Sequence, residues 1–175
     1  MARKQRETPQ GQVTFLAPDD AALLHLVREN LRLLSGLRSS YRPTAGNGSK
    51  AWQVRRPQDV FDLLAPEMEA LPQEQMRVVL LDSRNRVLDV VMVYQGNVNT
   101  AVVRTAELFR DAVVANAPNV ILVHNHPSGE PDASPEDVQM TRDAAQAARL
   151  LGIDLLDHVI VGQGRFVSLK DQGVL

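Results

Sequence analysis

A chain of 175 residues with 44% apolar side chains is long enough for one compact domain plus an extension, and too apolar to be disordered throughout. It contains no cysteine, which excludes disulfides, thiol nucleophiles and thiolate metal sites, so any zinc must be held by histidine and carboxylate. The net charge of -2 hides an asymmetry: residues 1–56 carry 10 Lys and Arg against 4 Asp and Glu, and residues 57–175 carry 9 against 17.

The N-terminal stretch from Met1 to Glu7 is basic and lacks an apolar segment of signal-peptide type. No apolar run approaches the roughly 18 residues of a membrane span, so a cytoplasmic protein with no membrane partner is expected. From Asp19 or Asp20 as cap, Leu24, Val27, Leu31 and Leu34 recur at helical spacing and predict a helix over about 19–37. A Ser-, Gly- and Pro-rich linker to about residue 50 follows. Residues 1–50 thus read as a basic arm with one helix, and 51–175 as the main domain.

In that domain Pro57, Gln58 and Asp59 open an amphipathic helix through Val60, Leu63 and Leu64. Residues 77–81 and 87–94 read as two strands joined by the turn chemistry of 82–86, a hairpin. Residues 101–103 suggest a further strand. Thr105 is placed as cap of a helix to about 116, with Ala106, Phe109, Ala112 and Val113 on one face. A buried strand at 120–124, a Pro- and Gly-bearing loop at 125–133 and a long helix from Ser134 to about Leu151 come next. Strands at 155–161 and 166–168 flank a Gly162-Gln163-Gly164 turn. This order predicts an α+β domain: a mixed or largely antiparallel sheet with helices packed against it.

Chemistry concentrates between His124 and Asp137. His124 and His126 stand two apart at a strand end, where alternate side chains point to one side and two imidazoles can share an ion. Asp137 lies in the first turn of the next helix, its side chain leaning back toward the histidine loop. Ser134-Pro135-Glu136-Asp137 is also an ordinary helix start, and either half alone is a weak signal. Together they point to a metal held by His124, His126 and Asp137.

The spacing His124-x-His126, seven residues, Ser134, two residues, Asp137 matches the JAMM motif. The blocks Ile121 to Gly129, Ser134 to Asp137, Leu151 to His158 and Val79 to Val87 resemble those of the bacterial RadC-like family. The resemblance covers about residues 52–175. It implies a cytidine-deaminase-like MPN/JAMM domain and a zinc-dependent metallopeptidase or amide hydrolase. It also implies a catalytic Glu at the end of the first helix, just before the first strand, a place that Glu74 occupies. Glu74 would serve as general acid/base, and Ser134 would donate to the developing oxyanion. Glu107 is the rival base. His158 is expected to be structural rather than a fourth ligand.

Two departures from the family stand out. The region before residue 51 is shorter than the helix-hairpin-helix segment of full-length relatives, and Arg104-Thr105-Ala106-Glu107 replaces a Pro-Arg-Glu type of helix entry. A peptide or protein substrate is expected. The alternative is a DNA-associated protein without peptidase turnover, in which DNA or another acidic partner meets Arg3, Lys4, Arg6, Arg55 and Arg56. A metal-free scaffold is disfavoured, since the ligands are all present.

Overall fold

The computed structural model describes residues 52–96 and 104–175. The expected N-terminal arm, its helix at 19–37 and the strand at 101–103 lie outside the described residues. The described elements run α1 (Pro57–Met68), β1 (Glu74–Leu81), β2 (Val87–Gly96), α2 (Thr105–Ala115), β3 (Asn119–Asn125), α3 (Pro135–Leu151), β4 (Asp154–Val161) and β5 (Phe166–Ser168).

The strands form one mixed sheet in the order β2-β1-β3-β4-β5. The β1–β2 hairpin and the β1–β3 and β4–β5 pairs are antiparallel, and β3–β4 is parallel; the β2-to-β3 connection through α2 steps across β1, and α3 makes the crossover from β3 to β4. Alternation along β3 explains its central position. Val120 and Leu122 enter a core with Leu108, Phe109 and Ala112 of α2 and Ala144 and Ala148 of α3. Ile121 and Val123 enter a second core with Val60, Leu64 and Met68 of α1. A strand apolar on both faces must be covered on both, so helices flank the sheet on either side. Full burial of each such side chain contributes about 1.5–3 kcal/mol.

The local signals act as their chemistry requires. Asp82 accepts the backbone N–H groups of Arg84 and Arg86 at 2.8 and 2.9 Å, closing the hairpin turn in which Asn85 takes φ 56°. Ser134 caps α3 in a reciprocal capping box with Asp137, and Gly152 ends that helix at φ 67°.

Three details differ from the sequence reading. β1 begins at Glu74 rather than at 77, so Glu74 is a strand residue and not a helix end. The cap of α2 is Arg104, and Thr105 is already its first helical residue. In α2 the buried face is Leu108, Phe109, Asp111 and Ala112, whereas Ala106 and Val113 are exposed. Apolar periodicity alone does not set the phase of so short a helix; the sheet and the helix α3 that it packs against do.

Candidate metal centre

His124, Asp137 and His126 converge where the C-terminal end of β3 meets the first turn of α3. His124 shares the face of Leu122, the face covered by α3, while His126 lies one residue beyond the strand. Its backbone N–H donates to Val161 O at 2.9 Å, so the neighbouring strand holds it in place. One ligand atom from each of the three residues lies within 4.8 Å of the others. His124 Nε2 is 3.0 Å from His126 Nε2 and 3.2 Å from Asp137 Oδ1, and His126 Nε2 is 3.6 Å from Asp137 Oδ2. His124 and Asp137 are buried, and the His126 side chain is 15% exposed.

Each ligand candidate is aimed by a neighbour. His126 Nδ1 lies 2.8 Å from Glu130 O. A carbonyl only accepts, so Nδ1 carries a proton, and in the neutral ring Nε2 is left with its lone pair. The 126–131 loop that supplies this carbonyl is pinned to the β4–β5 turn. Gln163 N–H donates to Gly129 O at 2.9 Å, and Glu130 pairs with Arg165. The approach is close enough that a Cβ on Gly162 would stand 2.5 Å from Gly129 O. Asp137 Oδ2 accepts from both Ser134 N–H (2.8 Å) and Ser134 Oγ–H (2.6 Å), and Asp137 N–H donates back to Ser134 Oγ at 3.1 Å. The Ser134 hydroxyl therefore donates its proton in a hydrogen bond to Oδ2, the oxygen nearer His126, and Oδ1 faces His124.

The electrostatics match this geometry. Burial alone would raise the Asp137 pKa, but hydrogen bonds from the His124 and His126 rings when these carry a proton on Nε2, the His124 charge and the Ser134 bond outweigh it and hold the carboxyl far below the usual carboxylate range. The hydrogen bond to Asp137 raises His126 against the opposing effect of burial, with help from Glu130 O and the charges of Asp137 and Glu74. Burial drives His158 well below its ordinary value, and the neighbouring histidines add to that.

The structure brings Glu74 to the same place. Met76 of β1 pairs with His124 in antiparallel register. Met76–His124 is the last pair of that ladder; Glu74 stands two residues beyond it on β1, on the same side as Met76, and its charge acts on His126. Its Oε2 is buried and has no hydrogen-bond partner among the described residues, a costly state unless a ligand or substrate group satisfies it. Glu107 is elsewhere: it sits in the first turn of α2, ion-paired with Arg104. His158 packs behind His124, its Nε2 2.7 Å from His124 Nδ1. The sequence reading did not place it or Thr141 beside the ligands. The available signals were parity on β4 and the four-residue step from Asp137 to Thr141.

Two imidazole nitrogens and a carboxylate oxygen converging at these distances are a donor set suited to zinc. The buried, unpartnered carboxylate oxygen beside them is what a site with a further polar occupant would leave. The residues present therefore fit such an ion.

Comparison with known proteins places the chain in a family. The RadC-like JAB domain profile matches residues 54–174. A UPF0758 protein of Roseiflexus castenholzii is 43% identical over 143 residues, 82% of this chain and 61% of the relative. A UPF0758 protein of Chloroflexus aurantiacus is 50% identical over 121 residues, 69% of this chain and 53% of the relative. One from Methanosarcina mazei is 41% identical over 121 residues, again 53% of the relative. The matches thus span only about half to three-fifths of those relatives' length. The chain belongs to the RadC-like JAB domain family.

Proposed function

We propose that the chain is a zinc-dependent amide hydrolase acting on a peptide or protein, with His124, His126 and Asp137 as metal ligands and Glu74 as general acid/base. The observation that supports this most strongly is the convergence of the three ligand atoms beside the orphaned, buried Glu74 Oε2. When bound, zinc supplies a Lewis acid and lowers the pKa of a coordinated water toward neutrality.

The chain's own residues do the rest. Glu74, held at the start of β1, accepts a proton from the attacking water and returns it to the leaving nitrogen. Its Oε2 is available for this because no donor among the described residues occupies it. Asp137 stays ionised through the reaction, since its neighbours hold its pKa so low. Ser134 first fixes Asp137. To polarise a substrate carbonyl its hydroxyl must turn away from Oδ2, which keeps the Ser134 backbone N–H as donor.

The test is Glu74→Gln. It is expected to retain zinc and to lose turnover of a peptide or isopeptide substrate by about 10²–10⁴-fold. Full activity in that variant would overturn the base assignment.

A further inference from the structure

We propose that His158 and Thr141 are positioning residues that hold the His124 proton on Nδ1, so that Nε2 presents a lone pair toward the ligand cluster. This rests on reading the cluster as a metal centre.

The protons can be assigned by elimination. Thr141 Oγ1 lies 2.6 Å from Asp137 O. A carbonyl has no proton to give, so the single hydroxyl proton of Thr141 goes there. The same oxygen lies 2.6 Å from His158 Nδ1. With its proton already committed, Thr141 Oγ1 accepts, and His158 Nδ1–H donates. Neutral His158 has one ring proton, so its Nε2 is an acceptor. That atom is 2.7 Å from His124 Nδ1, which must be the donor. His124 Nε2 is then bare. It stands 3.0 Å from His126 Nε2, which is bare for the separate reason that His126 Nδ1–H donates to Glu130 O. With both rings neutral, two lone pairs face each other at that distance, a contact that a proton relieves at low pH and a metal ion can relieve above it.

The chain of bonds runs from the backbone carbonyl of one ligand, Asp137 on α3, through Thr141 and His158 to the ring of another, His124 on β3. It therefore ties the helix that carries one ligand to the strand that carries the other. The fold makes this possible. His158 on β4 is in parallel register with Leu122, two residues before His124, and Thr141 is one helical turn beyond Asp137. Thr141 and His158 are 0% exposed, so water cannot readily substitute for either. The same assignment removes His158 as a fourth ligand: its only lone pair is spent on His124, and it lies on the Nδ1 side of that ring. The open metal position is left to water and substrate.

The test combines tautomer and affinity. Long-range proton–nitrogen NMR of the metal-free protein, at a pH where the imidazoles are neutral, should show protons on Nδ1 of both His124 and His158. A proton on His124 Nε2 would overturn the proposal. Zinc affinity is then measured by chelator competition. Thr141→Val, the same shape without the hydroxyl, should bind zinc about tenfold more weakly, and His158→Leu about 10–100-fold more weakly. His158→Gln, whose amide oxygen can accept from His124 Nδ1, should recover most of that loss. Affinities within about twofold of wild type in both Thr141→Val and His158→Leu would contradict the proposal, the reference being the loss typical of outer-shell partners. Should His158→Leu fail to fold, Thr141→Val and the tautomer spectrum decide. A wild-type protein that takes up no zinc would sink the metal-centre reading itself, while the spectrum would still decide the His124 tautomer.

Discussion

At the residue scale, protons and zinc compete for one set of atoms, and the competition has a sign. His126 is raised above its ordinary value of 6.5, chiefly by the hydrogen bond to Asp137. In the metal-free protein the stabilisation from this pair is complete below 6.5 and is lost as pH rises through the higher folded value. Asp137 is depressed from 3.8, so its own contribution is present above 3.8 and is lost only as pH falls toward its much lower folded value. The pair therefore favours the metal-free fold most between 3.8 and 6.5. Zinc needs the imidazole unprotonated. The rise in melting temperature on adding zinc should accordingly grow between about pH 6 and 8. Calorimetry with and without a chelator measures it, and an increment that shrinks with pH would contradict this coupling.

At the element scale, the site depends on three small devices: a helix cap, a pinned loop and a central strand. Ser134→Ala removes the hydroxyl half of the capping box. It should cost about 0.5–2 kcal/mol in denaturant unfolding, and it should weaken zinc binding by loosening Asp137. Gly162→Ala forces a Cβ to within 2.5 Å of Gly129 O, so the loop must shift. The Glu130 carbonyl that orients His126 moves with it. Reduced zinc affinity with little change in the unfolding midpoint is expected, and unchanged affinity would show that the loop does not position His126. Leu122→Ala, in the strand that carries His124, should destabilise by about 2–5 kcal/mol.

Most of these elements were legible from local chemistry. The Asp82 turn, the Ser134 cap and the Gly152 stop are written in short-range residue types, and the two-sided apolar run before His124 marked a buried strand. The metal cluster was legible because strand parity and helix lean each constrain direction. The phase of α2 was not, because Val113 and Leu108 are chemically alike and only packing decides which is buried. The positioning role of His158 was equally hidden. It depends on the parallel β3–β4 register, a long-range pairing that no local pattern encodes.

At the scale of the whole molecule, the sheet serves as a rigid frame with its chemistry at one end. β1 delivers Glu74, β3 His124, the loop after it His126, and α3 the aspartate, at the C-terminal end of β3. No helix among the described residues is long and apolar enough to cross a membrane. Because the ligands come from separate elements, an ion that binds the folded state alone should stabilise the entire domain, by about 2.7 kcal/mol at a hundredfold excess over Kd. The most direct measurement is the zinc content of the purified protein beside that of Asp137→Ala. About one zinc per chain, lost in the variant, is the expected result. No zinc in the wild-type protein, even after the metal is supplied at neutral pH, would contradict the metal centre and the hydrolase reading built on it.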